Sequence, residues 1–274
     1  MARDSTQSCA LTHYRWWALQ MKVWYNDSLV DASRAPLDNG WLRGEGIFET
    51  MRTVSSEPMA LSRHMRRALK SGIEYGITIP SQEQILDAVA QVIASRQFDN
   101  GRLRISFSES ADWLVTHDEY VEVLTPATLG IDEARVNSEI TPPKRFPYSY
   151  RLDILERAQL AGFDDAIVCN SKNHMCESSI SNLLLYIDGD WITPPLSDGL
   201  LAGVMRALVI EELSIKVRTV RLDELESVTG AILLSSLKIA QPVGAIASRK
   251  MQELPISHSL SAQIRAMVIA SSIR

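Results

Sequence analysis

The sequence predicts a mixed α/β protein of two domains, and three observations carry that expectation. The chain has 274 residues, more than one hydrophobic core usually organises. Strand-like and helix-like patterns interleave through both halves without a clean βαβ repeat. A charged, proline-rich stretch, "LGIDEARVNSEITPPKRFP" (residues 129–147), separates the halves. The expected division is an N-terminal extension (1–20), a small α/β domain (21–130), a linker (131–143) and a larger α/β domain (144–274).

The elements follow in order. "MKVWYNDSLV" starts at Met21 and reads as strand, Asn26-Asp27 turn and strand. "GIFETMRTV" alternates apolar and polar residues, as a strand does. "PMALSRHMRRALKSGIEYGI" is a helix with Leu61, Met65, Ala68 and Ile73 at roughly helical spacing, closed by Gly76. "SQEQILDAVAQVIASRQ" is a second helix, with Ser81 as N-cap and Gln84 at the capping-box position. "RLRISFS" and "YVEVLTPA" read as strands. After Lys144 a helix runs to about Gly162, and "DDAIVCN" is a strand. "NLLLYIDGDWITP" is a hairpin turning at Asp188-Gly189. "GVMRALVIEEL" is a helix with a stripe of Met205, Leu208, Val209 and Leu213. "GAILLSSLKIAQPVGAI" is apolar strand interrupted by two serines and a polar loop.

Composition narrows the partners. Net charge is -5 and the pI about 5.6, which argues against nucleic acid and anionic membrane, since both need a basic face. No window is apolar for long enough to span a bilayer. The three cysteines, Cys9, Cys169 and Cys176, have no CxxC spacing, which argues against a disulfide framework and a zinc site; no metal is expected. A reducing cytoplasm fits that usage. The first twenty residues lack the apolar core of a signal peptide. They read equally as a loose extension before a functional start at Met21 and as a short helix docked through Trp16 and Trp17.

Several polar residues stand where packing alone does not call for them. Glu177 is followed by Ser178, Ser179, Ser181 and Asn182, a cluster suited to a satisfied turn or to a ligand. Gly203 precedes a helix, so the amides from Gly203 to Met205 form a potential anion site. Ser235 and Ser236 interrupt an apolar run and need partners if buried. Arg66 and Arg67 lie on a helix, where arginines are usually solvated. Lys144 is a flexible cation held in a stiff segment, "TPPKRFPYSY". There is no GxGxxG, P-loop, HExxH or GxSxG motif.

Together and in order, these pieces resemble the class IV pyridoxal-phosphate (PLP) aminotransferases. That family includes branched-chain and D-amino acid aminotransferases and aminodeoxychorismate lyase. "LDNGWLRGEGIFETMR" resembles the family's "DRGFxYGDGxFETxR". "LSRHMRRALKSGIEYGI" resembles "LxxHxxRLxxSAxxLGI". "HMCESSISNLLLYIDGDWITPPLSDGLLAGVMR" is similar to "EGxxSNxFxxxDGxxxTPPLxxGxLxGITR". The likeness covers residues 21–243.

The resemblance implies a fold type IV enzyme: two α/β domains with the cofactor in the cleft between them, in a homodimer acting on a small amino substrate. Counting back about twenty residues from Asp164-Asp165-Ala166 makes Lys144 the Schiff-base lysine and general base at Cα, work that suits a desolvated amine. Glu177 matches the glutamate that pairs with the pyridine nitrogen. Arg67, Gly203, the amides of Val204 and Met205, and Ser236 fall at phosphate-binding positions. Phe48 and Tyr148 fall on the substrate side. Pro147 departs from the asparagine or serine usual three residues after the lysine.

Within the family, Met205 in "GVMR" and "SSLKIAQPV" resemble the lyase more than the transaminases, which usually carry threonine there. Glu109 and Ser110 stand where lyases often have Arg-Gly, which removes a positive group for a substrate carboxylate. The leading expectation is 4-amino-4-deoxychorismate lyase, giving p-aminobenzoate and pyruvate by Cα deprotonation. A branched-chain or D-amino acid transaminase is the alternative, and a catalytically silent homologue the third.

Overall fold

The computed structural model describes residues 21–38, 40–137 and 141–272. The two alternatives for residues 1–20 lie outside the described residues. Contacts divide the chain into two compact units. One comprises the described chain up to Tyr120 together with Arg145–Pro147; the other comprises Val121–Lys144 and the chain from Tyr148 onward. The chain therefore passes from one unit to the other at three points: after Tyr120, after Lys144 and after Pro147.

The first unit is a seven-stranded antiparallel sheet with two helices. Its strands are β1 (Lys22–Tyr25), β2 (Ser28–Asp31), β5 (Gly46–Val54), β6 (Glu57–Pro58), β7 (Asn100–Ser108), β8 (Trp113–Glu119) and β10 (Arg145–Phe146); β3 (Leu37–Asp38) and β4 (Trp41–Leu42) form a separate ribbon. The main order is β10-β5-β7-β8-β1-β2, with β6 beside β5. β5 lies between β10 and β7, and seven of its nine residues are buried, including the polar Glu49, Arg52 and Thr53. Helix α1 (Leu61–Tyr75) ends at Gly76, whose φ of 67° is left-handed and open to glycine without strain. Helix α2 (Gln82–Ser95) starts as expected: Gln84 N–H donates to Ser81 Oγ and Ser81 N–H to Gln84 Oε1. The core joins Ile47, Met51, Leu103, Ile105 and Phe107 of the sheet to Ala88, Val89 and Val92 of α2.

The second unit holds β9 (Ala127–Val136), β11 (Asp165–Asn170), β12 (Met175–Ser178), β13 (Asn182–Ile187), β14 (Asp190–Thr193), β15 (Lys216–Val217), β16 (Val228–Ser235), β17 (Ile239–Ile246) and β18 (Arg249–Lys250). Pairing runs β12-β11-β9-β17-β16-β13 and returns through β12–β13, so six strands close a ring. Closure leaves those six strands no open edge. Two of the pairs, β9–β11 and β9–β17, are parallel. Leu129, Ile167, Met175, Leu183, Leu185, Leu233 and Val243 belong to one buried cluster. Helices α3 (Ser149–Leu160), α4 (Val204–Glu212) and α5 (Leu254–Ser272) complete the unit.

Several expectations change. "YVEVLTPA" is not a strand: strand structure resumes only at Ala127, and Val121, Val123 and Leu124 are exposed. The strand before it is Trp113–Glu119, whose polar Thr116, His117 and Asp118 hid its pairing with β7. The stretch read as connector begins with β9, placed by parallel pairing to β11, a partner remote in sequence. Ile73 is 85% exposed and leaves the predicted helix stripe. "GAILLSSLKIAQPVGAI" is two antiparallel strands, because Ser235 makes a turn rather than an interruption: its Oγ accepts the Lys238 N–H. The Asp188-Gly189 turn is as expected, with φ of 50° and 86°.

Candidate active site

The second unit gathers most of the predicted site residues. The ring closes at Glu177↔Asn182, the residues paired between β12 and β13. Glu177 is buried. Its Oε1 accepts from Arg151 Nη2 at 2.5 Å and from the Leu201 N–H at 3.2 Å, and its Oε2 accepts from Asn182 Nδ2 at 3.1 Å. Burial pushes the Glu177 carboxyl up, while the Arg151 charge, the Leu201 N–H and the Lys144 charge pull against that rise. Lys144 thus lies within electrostatic reach of this carboxylate. The lysine is half-buried, and its Nζ stands 5.2 Å from the centre of the Tyr148 ring. Tyr148 is also the N-cap of α3. The Phe146-Pro147 peptide beside them is cis.

Helix α4 supplies the second element. Gly203 is its N-cap, no side chain caps it, and Val204 and Met205 open its first turn. The amides there point out of the helix at the positive end of its dipole. Gly203 is required by a close approach: a Cβ at that position would stand 1.8 Å from Asn182 Oδ1. The "TPP…GVMR" spacing has a structural use as well. Arg206 Nε donates to Thr193 Oγ1 at 3.1 Å and its Nη2 to the Pro194 carbonyl at 2.6 Å, which ties α4 to the end of β14. Ser236 lies half-buried in the β16–β17 turn.

Of the serines after Glu177, Ser178 and Ser179 serve a second buried acid. Asp165 accepts from Ser178 Oγ at 2.8 Å, from the Ser179 N–H at 3.1 Å and from Ser179 Oγ. Lys238 Nζ lies 4.0 Å from the same carboxylate. The satisfied-turn reading thus holds for these two serines, and the ligand reading stays with Glu177.

Arg67 and Phe48 belong to the first unit. Arg67 holds Glu49 at two points, Nε to Oε1 at 2.8 Å and Nη2 to Oε2 at 2.6 Å, and His64 Nδ1 donates to Oε2 at 2.6 Å. Burial alone would raise the Glu49 carboxyl, but Arg67 and then His64 outweigh it and bring the pKa down to about 2. Phe48 is buried edge-on against Trp41 at 4.8 Å, and the Arg104 guanidinium lies over Trp41 at 3.8 Å. Glu109 accepts from Arg145 Nη2 at 2.7 Å.

Two residues of these networks went unnoticed in the sequence. Glu49 sits in a strand otherwise read as ordinary alternation. Arg151 had a findable signal: with Ile154 and Ala158 it forms the buried stripe of α3, and an arginine on such a stripe needs a partner.

The donor set suits PLP. A buried carboxylate with an acceptor position to spare feels the charge of an amine, and the same unit holds a helix N-terminus that no side chain caps and a serine in the β16–β17 turn. Among the described residues no group of three or more His, Cys, Asp or Glu could hold a metal ion, and no helix is long and apolar enough to cross a membrane.

The fold is that of the fold type IV PLP enzymes. Residues 46–246 match the model of the amino-transferase class IV family. A Thermotoga maritima protein named as a probable branched-chain-amino-acid aminotransferase is 26% identical over 199 residues, covering 70% of this chain and 72% of its own. A Bacillus subtilis aminodeoxychorismate lyase is 28% identical over 204 residues, covering 66% and 69%. Among solved structures, the branched-chain aminotransferase of Thermoproteus uzoniensis, determined with norvaline, aligns at a TM-score of 0.80 with 23% identity, over 91% of this chain and 95% of that one. The chain belongs to the class IV aminotransferases, a PLP-dependent family of enzymes.

Proposed function

We propose that this enzyme is a 4-amino-4-deoxychorismate lyase that releases p-aminobenzoate and pyruvate. The observation that carries the PLP chemistry is the buried Glu177, ionically paired and still holding an acceptor position, with Lys144 in electrostatic reach. Bound PLP supplies an electron sink for the bond-breaking carbon. Lys144 would hold the cofactor and, as general base, would take the substrate's Cα proton. Glu177 would hold a proton at the pyridine nitrogen. The Val204 and Met205 amides at the N-terminus of α4, with Gly203 and the Ser236 hydroxyl, bind the phosphate. Tyr148, packed beside the Lys144 amine, lines the substrate side. In the first unit Arg67 binds an anionic group and Phe48 supplies an apolar wall, the roles their motifs imply.

The preference for the lyase rests on Met205, which puts an apolar, buried side chain where transaminases of the family usually carry threonine. A transaminase is the second reading. It is favoured by Glu109, which stands where lyases often have a cation and is engaged by Arg145. We further propose a cytoplasmic homodimer, which sedimentation of the purified protein would test.

The deciding experiment gives purified protein 4-amino-4-deoxychorismate with no amino acceptor. Pyruvate formation supports the lyase, and strict dependence on a 2-oxoacid supports the transaminase. Borohydride reduction of the PLP-loaded protein should fix the cofactor to Lys144. A fixed adduct that persists in Lys144→Met removes that assignment.

A further inference from the structure

Helix α3 turns Arg151, Ile154 and Ala158 inward, at i, i+3 and i+7. Two of these are ordinary for a buried stripe. The third is an arginine with a side chain only 9% exposed. Desolvating a guanidinium is costly unless its partner is well placed. Its ion pair is with Glu177, through Nη2, and its Nη1 is buried without a hydrogen-bond partner in the structure. A residue serving only to join helix and sheet would do so better as leucine.

The partner's acceptor sites show what the arginine achieves. An ionised carboxylate offers about four acceptor positions. Arg151 and the Leu201 N–H take Oε1, and Asn182 takes one position on Oε2. What remains is one position on Oε2. Without the arginine, a carboxylate this buried tends to take up a proton, because desolvation disfavours its charged form.

We propose that Arg151 is a positioning residue for the cofactor site, resting on the PLP role assigned to Glu177 above: it occupies Oε1, favours the charged form of the buried carboxylate and leaves a position on Oε2 that would receive the pyridine N–H. Arg151 follows Lys144 by seven residues. One short segment therefore supplies both the amine that tethers the cofactor and the charge that sets up the group holding its far end.

The test titrates apo wild-type, Arg151→Met and Arg151→Lys protein with PLP. It reads the dissociation constant and the visible absorption band of the bound cofactor from pH 6 to 9. Arg151→Met should bind PLP at least tenfold more weakly, with a band that changes across a pH range where the wild type is constant. Arg151→Lys should recover part of both. Adding Glu177→Gln to Arg151→Met should cost little more, since the two act through one contact. If Arg151→Met does not fold, Arg151→Gln, which keeps a donor but no charge, replaces it. Wild-type affinity and a pH-independent band in the folded variant would overturn the proposal, because a purely structural ion pair would change stability alone. Failure of the cofactor reading is separate: the wild type itself would then not take up PLP.

Discussion

Glu177 and Asn182 pair across the seam where the six-stranded ring of the second unit closes, and Asn182 Nδ2 reaches both Glu177 Oε2, at 3.1 Å, and the Leu201 carbonyl, at 3.0 Å. The orientation of the candidate site's carboxylate is thereby tied to strand pairing. A side chain at the end of a free strand would rotate; this one is fixed from both sides.

Gly203→Ala tests how closely the start of α4 depends on that seam. The new Cβ would meet Asn182 Oδ1 at 1.8 Å, so Asn182 must move and loosen its hold on Glu177. Overpacking of this kind costs about 1–3 kcal/mol. We expect a loss of that size in denaturant unfolding and PLP affinity reduced at least tenfold. Unchanged affinity would show that Asn182 can move without consequence.

The Glu49 network predicts acid sensitivity of the first unit. The folded pKa of Glu49, about 2, lies below the ordinary 4.5, so its contribution to stability is complete above about pH 4.5 and is lost as the pH falls towards 2. Glu49→Gln leaves Arg67 and His64 without their ionised partner, and removing one member of a buried pair costs about 3–5 kcal/mol. The stability gap between wild type and variant, measured by urea unfolding, should be widest near neutrality and narrow below pH 4.5. A gap independent of pH would rule out the ion pair as its source.

The two described cysteines should be inert in the folded state. Cys169 and Cys176 are buried free thiols, and burial raises the pKa of both. Since the thiolate is the reactive form, a Cys9→Ser variant should show no thiol reacting with a disulfide reagent at pH 8 over minutes, and two in denaturant. Rapid native labelling would mean that β11 and β12 open readily.

Contiguous motifs were easier to read in the sequence than strand pairing. Lys144, Glu177, Gly203 and Ser236 could be singled out because each belongs to a motif contiguous in sequence, and local pattern also marked the Ser81 cap and the Asp188-Gly189 turn. The β-strand before Tyr120 and the start of β9 were misplaced, because their identity rests on partners far away in the chain: β7 for the one, β11 and β17 for the other. No window of neighbouring residues contains that pairing.

By itself, then, the sequence determined the chemical groups and their order: an amine, a carboxylate, a glycine-started helix and a serine, in a mixed α/β chain. The tertiary structure decided which of them are desolvated and what each is paired with. Arg151 looks like one more helical cation until α3 lies on the sheet and brings it to Glu177, and Glu49 looks like an exposed strand residue until Arg67 and His64 enclose it. The physical reason is that burial, which sets both the cost of a charge and the worth of its partner, is a property of packing and not of local sequence.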